Sequence, residues 1–268
     1  MIPGAQGSKV WKPKGTPGVP IRRGSWSGKR RGAFCAAHAQ DYFAFKETLR
    51  PPSPDRFEDS PLDRRYGLHA RVIAWFMSKE SPRYAASVRG RKDSLFSGLN
   101  GTLLEIGAGA GANLPQVPRA VRFVALEPNP FMHPYLVARA RELNRPVAVI
   151  QGAAESLPFP DESLDAVLST LVLCSVRELD GVLAEVIRVL KPEGRFLFLE
   201  HVGAPQGSRL LQIQRWLRPA WQSLGDGCQL DRNTEAYLAR AGFRDLEVNR
   251  FSVPFPLVSP HIAGIAYK

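Results

Sequence analysis

A glycine-rich turn between two apolar segments constrains this chain more than any other feature. The apolar segment 103–106 predicts a buried strand, and the glycine-rich stretch Gly107–Gly111 follows it directly. A second strand is predicted over 121–126, and it ends on Glu127, twenty residues after Gly107. A strand, a glycine turn and an acid at the tip of the next strand are typical of a nucleotide-type pocket at the carboxyl ends of a parallel sheet. Glycine lets the backbone approach a ligand closely, and the acid can accept hydrogen bonds from two ribose hydroxyls.

The remaining chain alternates between strand and helix patterns. Further strands are predicted over 147–150, 166–169, 195–199, 246–253 and 261–267. Helices are predicted over 130–143, 178–190, 208–224 and 233–241. Asn129 is the expected N-cap of the first of these helices, and Asp231 is the expected cap of the last. Strands separated by helices imply a parallel sheet with right-handed crossovers, and the hairpin-like terminal pair fits one reversed strand. The sequence therefore predicts an α/β fold: a Rossmann-like seven-stranded sheet, mostly parallel with one reversed strand, and helices on both faces.

Two helices are predicted ahead of the first strand. A helical pattern starts at Asp63 and places Leu68, Val72, Trp75 and Phe76 on one face. The pair Ser81-Pro82 is typical of the beginning of a second helix. By analogy with this fold class, we expect these helices to close over the pocket.

The positive charge of the chain is concentrated in its N-terminal segment. The formal net charge is +11, but residues 1–40 hold eight lysines or arginines and no acid, which leaves +3 for the rest. This basic segment is rich in proline and glycine and has no sustained apolar period. We therefore expect a disordered segment over 1–60 and one domain over 61–268, with no strong nucleic-acid signal outside the basic tail.

Cysteine usage and hydropathy bear on the cellular compartment. The chain has three cysteines, Cys35, Cys174 and Cys228. A small and odd number of cysteines does not indicate a disulfide framework. The sequence has no apolar run long enough for a transmembrane segment and no secretory signal. We expect a cytoplasmic protein, or an organellar one if the Arg-rich start is a transit peptide. Nothing in the sequence indicates an oligomeric state.

The glycine turn also fits the dinucleotide fingerprint, so other features must select the ligand. Three of them favour S-adenosylmethionine (SAM). Glu105 lies inside the first strand, where a nicotinamide fold usually has an apolar residue. The loop Gly152–Phe159 follows the third strand, where an adenine edge would lie. The turn Leu190–Arg195 resembles one that recurs before the fifth strand of SAM enzymes.

From about Asp63 to the C-terminus, the chain resembles the class I SAM-dependent methyltransferases. The shared motifs are Glu105–Gly111, Glu127-Pro128, Ala154–Phe159 and Leu190–Gly194. A narrower resemblance is to the methyltransferase-like 7 group, which is associated with methylation of alkyl thiols. Its motifs are Gly111-Ala112-Asn113, Thr170–Val176, Glu200-His201-Val202, Pro219-Ala220-Trp221, Asp226-Gly227-Cys228 and Pro260-His261-Ile262.

The resemblance implies a SAM cofactor and a small-molecule acceptor, for which an alkyl thiol is the candidate. The SAM-binding residues implied are Glu105, Gly107, Gly109, Gly111, Asn113, Glu127, Pro128, Ala154, Glu155 and Leu171. Two features depart from the pattern. Many relatives have an Asp at the position of Ala153, where it can bond the adenine amino group. Human-type members begin with an apolar membrane anchor, whereas this chain begins with a basic tail.

Several residues admit a structural role as well as a functional one. Glu105 could contact the ammonium group of the ligand or bond to backbone, and Asn113 could contact the cofactor or cap a helix. Cys174 is expected to be a buried core thiol, and Cys228 to line the acceptor pocket. His201 follows the fifth strand, where it could serve as general base, acceptor contact or structural residue. Cysteine spacing does not indicate a metal site, and we assign no catalytic residue.

Other functions stay open from sequence alone. The alternatives to a small-molecule enzyme are an RNA or protein methyltransferase and a non-catalytic SAM-binding partner subunit. A nicotinamide oxidoreductase is a further alternative, which the sequence favours less than these. Enzymes that methylate nucleic-acid amino groups usually carry an Asn/Asp-Pro-Pro-aromatic motif at the fourth strand. Here that position reads Ser169–Val172, and Asn129-Pro130-Phe131 follows the wrong strand.

Overall fold

Seven strands form one sheet in this computed structural model, which describes residues 67–79 and 81–268. In chain order they are β1 (Thr102–Ile106), β2 (Arg122–Leu126), β3 (Ala148–Ile150), β4 (Leu164–Thr170), β5 (Leu190–His201), β6 (Asp245–Ser252) and β7 (Pro260–Tyr267). Their order across the sheet is β3-β2-β1-β4-β5-β7-β6. Strands β1 to β5 pair in parallel, and β7 runs antiparallel to both β5 and β6. The predicted sheet with one reversed strand is confirmed.

Helices cover both faces of this sheet. They are α1 (Leu68–Met77), α2 (Pro82–Phe96), α3 (His133–Glu142), α4 (Leu179–Val189), α5 (Arg209–Leu224) and α6 (Thr234–Arg240), with a 3₁₀ turn at Pro256–Val258. Helix α4 repeats apolar residues every three or four positions, and its buried stripe packs on one side with Phe196 and Phe198 of β5. Helices α2 and α3 pack on the other side, where Leu95 and Leu136 meet Leu103 of β1. Because both faces are covered, β1 is buried along its whole length.

Three predicted boundaries are wrong for local reasons. Helix α3 begins at His133 instead of Pro130, because the Asn129 side chain accepts a hydrogen bond from the Phe131 amide and closes a separate turn first. The cap of α6 is Asn233, not Asp231, since the Asn233 side chain accepts from the Ala236 amide. The predicted turn 191–194 is an irregularity inside β5, where the register with β4 shifts.

Helix α1 is confirmed as a helix, but its apolar stripe does not face the core. The side chains of Leu68 and Phe76 are 77% and 66% exposed, whereas Ala70 and Ala74 are buried. The Asn129 side chain donates a hydrogen bond to the Ala70 carbonyl at 3.1 Å. Small residues therefore let α1 approach the loop after β2, which is consistent with the expected cover over the pocket.

The amino edge of the sheet is held by Asp165 at the start of β4. Its carboxylate accepts from the Thr102 amide at 2.7 Å and from Lys191 Nζ at 2.8 Å. These two contacts give Asp165 a structural role. Within residues 67–79 and 81–268, every helix is too short or too polar to span a bilayer. The predicted segment 1–60 and the predicted helix start at Asp63 lie outside these residues.

Candidate active site

The residues singled out by the sequence meet at the carboxyl edge of the sheet. Gly107 follows β1, Glu127 follows β2, Ala154 lies beyond β3, Leu171 follows β4 and His201 ends β5. These strands are parallel neighbours in register, so their ends lie side by side. We call the part built on β1 to β3 the cofactor half, and the part built on β4 and β5 the acceptor half.

The glycine turn needs its glycines for two different reasons. Gly107, Gly109 and Gly111 all have positive φ angles, of 62°, 53° and 83°. A Cβ on Gly107 would lie 2.4 Å from a methyl of Val172, and one on Gly111 would lie 2.8 Å from Leu114. A Cβ on Gly109 would meet no described protein atom within 4 Å. The backbone at Gly109 is therefore the part of the turn that is open to a ligand.

Glu127 is held in place by its own loop. One carboxylate oxygen accepts from the Gly109 amide and the other from the Asn129 amide, both at 2.8 Å. The side chain is buried, and burial raises the pKa of Glu127 to about 7, against the two backbone hydrogen bonds. His133 Nε2 lies 3.0 Å from the Glu127 carbonyl oxygen, a contact that the sequence did not suggest. Each carboxylate oxygen retains a free lone pair for a ligand hydroxyl.

Glu105 and Asn113 form a buried pair at the base of the turn. Asn113 Nδ2 donates to Glu105 Oε1 at 2.5 Å and to Thr170 Oγ1 at 3.0 Å. Glu105 Oε2 and Asn113 Oδ1 are buried and have no hydrogen-bond partner within the described residues. Burial raises the pKa of Glu105 to about 8. The helix-cap interpretation of Asn113 is wrong, because residues 110–116 form turns and not a helix.

The remaining predicted SAM contacts differ in their exposure. Ala154 is buried and Pro128 is half-buried, whereas Glu155 is exposed and accepts a hydrogen bond from the Arg177 amide at 3.1 Å. Leu171 has a φ of 59°, an unfavourable backbone conformation for a branched side chain. Strain of this kind persists where the surroundings impose it, and here it lies at the end of β4 between the two halves of the site.

The loop after β4 is fixed by two buried charged residues that sequence reasoning did not select. Glu200 accepts from Ser169 Oγ at 2.6 Å and from the Leu173 amide at 3.1 Å, and burial raises its pKa to about 7. The Arg232 guanidinium donates to the carbonyl oxygens of Leu173 and Val176, at 2.6 and 2.7 Å. The loop that carries Cys174 is therefore rigidly positioned.

Cys174, His201 and Cys228 come together in the acceptor half. All three are buried, and their sulfur and nitrogen ligand atoms lie within 4.8 Å of one another. His201 Nε2 lies 3.1 Å from Cys228 Sγ, and Trp221 Nε1 donates to the same sulfur at 3.2 Å. Interaction with Cys174 and burial raise the pKa of the Cys228 thiol. Cys174 is the expected buried thiol, but no signal in cysteine spacing could have found this cluster.

A second histidine, His261, also lies in the acceptor half. The ring centroids of His261 and His201 are 6.3 Å apart, and Tyr84 Oη lies 3.2 Å from His261 Nε2. Burial lowers the pKa of His261 to about 4, so its ring is neutral at physiological pH. Trp221 is a half-buried part of the site wall, whereas Trp216 is 80% exposed and therefore not a core residue.

The fold and this edge together define the class of protein. A glycine turn after β1, an acid after β2 and a reversed β7 in a seven-stranded sheet are the features of class I SAM-dependent methyltransferases. Residues 104–198 match the family described as "Methyltransferase domain". A solved SAM-dependent methyltransferase of Thermotoga maritima superposes with a TM-score of 0.53 at 20% identity and covers 75% of this chain and 100% of its own. That likeness supports the fold.

Closer relatives narrow the family. The chain is 37% identical over 207 residues to thiol S-methyltransferase TMT1B of Rattus norvegicus. The alignment covers 72% of this chain and 85% of the relative. It is 36% identical over 207 residues to thiol S-methyltransferase TMT1A of Homo sapiens. This alignment also covers 72% of this chain and 85% of the relative. The chain therefore belongs to the class I SAM-dependent methyltransferases, in the methyltransferase-like 7 group. The rival interpretation as a nicotinamide oxidoreductase is wrong.

The cofactor half has the chemistry that SAM requires. In the part of the chain that the structure describes, Glu105 Oε2 and Asn113 Oδ1 are buried without protein partners, and a buried polar group without a partner is costly. A carboxylate and an amide oxygen are suitable acceptors for the ammonium group of SAM. The open backbone at Gly109 leaves space for a ligand, and the spare lone pairs of Glu127 would suit the hydroxyls of a ribose. These residues fit the cofactor.

Proposed function

We propose that this methyltransferase transfers the methyl group of SAM to the sulfur of a small thiol. The observation that carries the proposal is the composition of the acceptor half. Buried thiol and imidazole groups and the half-buried Trp221 indole lie together beyond the ends of β4 and β5, and the buried carboxylate there, Glu200, already has both oxygens bonded. The two relatives named as thiol S-methyltransferases support the same acceptor class.

The cofactor half is assigned to binding and orientation. SAM supplies a methyl group that is already activated on a sulfonium sulfur. Glu127 would accept hydrogen bonds from the ribose hydroxyls, and Glu105 with Asn113 would face the ammonium group. Ala154 and Leu171 would enclose the adenine and the reacting end, with Pro128 and Glu155 at the margin. Because the leaving group is activated, alignment and exclusion of water supply most of the catalysis required of the protein.

A thiol suits an acceptor half whose buried carboxylate, Glu200, is already hydrogen-bonded through both oxygens. A thiol needs only to lose its proton, and an ordinary pKa of about 8.5 leaves a few per cent thiolate at neutral pH. An alcohol or a carbon acid would need a strong base. His201 stays the first candidate for that role, as the sequence predicted.

Product formation from a panel of acceptors tests the proposal directly. The full chain is incubated with SAM and with matched small thiols, alcohols and amines, and methylated products are measured by mass spectrometry. We expect turnover with alkyl thiols and none with the alcohol of the same carbon skeleton. Turnover of an alcohol or amine in preference to its matched thiol would refute the thiol assignment.

The same assay separates the alternatives that the sequence left open. Transfer to added RNA or to a peptide in preference to every thiol would favour a macromolecular acceptor, and SAM binding without any turnover would favour a partner subunit. The compartment, cytoplasmic or organellar, stays a prediction.

A further inference from the structure

Cys174, His201 and Cys228 are brought together from three separate parts of the chain. Cys174 lies in the loop after β4, His201 ends β5, and Cys228 follows α5. The Gln229 amide donates to the Cys174 carbonyl at 2.9 Å, which joins the second cysteine loop to the first. The cluster is therefore built by tertiary contacts and lies at the carboxyl edge of the sheet, where parallel-sheet enzymes bind their ligands.

The spacing of these three side chains suits a tetrahedral metal ion. Zinc binds thiolate sulfur at 2.3 Å and imidazole nitrogen at about 2.0 Å, which places neighbouring ligand atoms about 3.5–3.8 Å apart. The ligand atoms of the cluster lie within 4.8 Å of one another, and His201 Nε2 is 3.1 Å from Cys228 Sγ. Side-chain adjustments of less than about 1 Å would bring them to zinc distances.

The polar contacts of the cluster point inward. His201 Nε2 faces the Cys228 sulfur at 3.1 Å and is the nitrogen placed to bind an ion, whereas its buried Nδ1, which has no partner within residues 67–79 and 81–268, would stay outside the coordination sphere. Trp221 Nε1 donates a hydrogen bond to Cys228 Sγ at 3.2 Å. In metal sites, groups outside the coordination sphere orient the ligands through hydrogen bonds of this kind. Two thiolates also neutralise a dication, so a buried site would hold no uncompensated charge.

We propose that Cys174, His201 and Cys228 bind one zinc-class divalent ion and leave its fourth position open for the acceptor thiol. Three protein ligands with an open position are typical of catalytic zinc sites, whereas structural sites have four. Cys174 Sγ lies 3.7 Å from the carbonyl oxygen of Leu171, a residue implied in cofactor binding. The open position would therefore lie near the boundary between the acceptor half and the cofactor half.

The proposed ion explains how the acceptor loses its proton, a step that rests on the proposed thiol function. Binding of the ion releases the two cysteine protons to solvent, and binding of the acceptor thiol releases a third. The acceptor sulfur then forms a bond to the methyl carbon while the carbon–sulfur bond of the sulfonium breaks, and the electron pair of that bond stays on the cofactor sulfur. The product thioether is neutral and a weaker ligand than a thiolate, so it leaves the ion.

Cobalt substitution tests the site without any turnover. The full chain, purified without a histidine tag, is stripped of metal under reducing conditions and titrated with Co²⁺. We expect one equivalent to produce a thiolate-to-cobalt charge-transfer band and intense tetrahedral bands, and one equivalent of Zn²⁺ to abolish them. Absence of the charge-transfer band would overturn the proposal.

Matched variants locate the ligands. Cys174→Ser, Cys228→Ser and His201→Gln should each weaken cobalt binding at least tenfold, whereas His69→Gln, on the exposed side of α1, and Cys35→Ser should retain it. Calorimetric SAM binding confirms that each variant is folded. Equal cobalt binding by the cluster variants and the controls would refute the assignment.

A thiol titration separates this proposal from the proposed function. Addition of 2-mercaptoethanol to the cobalt protein should increase the charge-transfer absorption, because a further thiolate enters the open position. If the metal-free protein and the cluster variants methylate thiols as fast as the zinc-loaded protein, the metal proposal fails and the thiol function stands. If cobalt binds and the spectrum responds to the thiol but no thiol is methylated, the thiol function fails and the metal site stands.

Discussion

The cofactor half and the acceptor half occupy the same edge of one sheet but differ in chemistry. The cofactor half relies on backbone and carboxylates: three glycines with positive φ, and Glu105 and Glu127 buried beside them. The acceptor half relies on sulfur and aromatic nitrogen, in Cys174, His201, Cys228 and Trp221. Carboxylates and amide oxygens suit a cationic, hydroxyl-rich ligand, whereas soft sulfur and imidazole suit a thiol or a soft metal. A shared fold thus holds two sites that can be perturbed separately.

The largest effect is expected at the contact between the two halves. Gly107→Ala would place a methyl 2.4 Å from Val172 at a φ of 62°, so both strain and overpacking oppose it. We expect a loss of about 2–4 kcal/mol in the free energy of unfolding, measured by urea denaturation. Gly109→Ala is the matched control, because its Cβ meets no described atom and only the strain remains. Equal losses for the two variants would contradict this account of the turn.

The next effect is confined to the cofactor half. Glu127→Ala removes the proposed ribose acceptor, and we expect SAM to bind about 10- to 100-fold more weakly by calorimetry. Glu142→Ala, at an exposed position on α3, should leave the affinity unchanged. If cobalt binding by the acceptor half also fell in Glu127→Ala, the two halves would not be separable.

A pH dependence sharpens the role of Glu105. Burial raises its pKa to about 8, while nearby Lys92 lowers it and Glu127 raises it, so the carboxyl is mainly protonated at pH 7. Contact with an ammonium group needs the ionised form, so SAM binding between pH 6 and 7.5 should release protons and strengthen by up to about tenfold per pH unit. Calorimetry in buffers of different ionisation enthalpy measures that release. Unchanged proton release in Glu105→Gln would remove Glu105 from this role.

The same raised pKa has an opposite consequence for the ligand-free protein. The folded state retains a proton that the unfolded state releases above a pKa of about 4.5, so the free energy of unfolding falls as pH rises from about 4.5 to 8. Glu105→Gln should therefore be more stable relative to the parent at pH 8 than at pH 5, by urea denaturation. A stability difference that is independent of pH would contradict the raised pKa.

The smallest effect tests the acceptor half alone. Trp221→Phe retains an aromatic ring but loses the hydrogen bond to Cys228 Sγ. We expect the KM for a thiol to rise about 3- to 10-fold with SAM affinity unchanged. Trp216→Phe is the matched control, since Trp216 is 80% exposed. A weaker SAM affinity in Trp221→Phe would show that the indole supports the fold instead of the acceptor site.

The cofactor half could be predicted from sequence because its parts are local. Gly107–Gly111 follows β1 within one turn, and Glu127 is fixed by the length of a single crossover, so spacing along the chain carries the information. The same local patterns predicted a mostly parallel seven-stranded sheet with one reversed strand. They were less accurate at helix ends, where the Asn129 and Asn233 side chains compete for backbone amides.

The acceptor half could not be predicted in this way. Cys174, His201 and Cys228 are 27 residues apart at each step, and no spacing rule joins residues from two strand ends and a helix–loop junction. Nor could the sequence show that the apolar stripe of α1 faces outward, because periodicity gives a face of the helix but not its neighbour.

The sequence by itself determined the class of fold, the position of the glycine turn after β1 and the acid at the end of β2. These features depend on hydrophobic periodicity and on the backbone freedom of glycine, both of which are properties of short segments. Only the tertiary structure decided which polar atoms are buried without partners and which distant sulfur and nitrogen atoms meet. Burial and proximity arise when separate segments pack together, and here that packing places the cysteine and histidine cluster at the carboxyl edge of the sheet, beside the cofactor half.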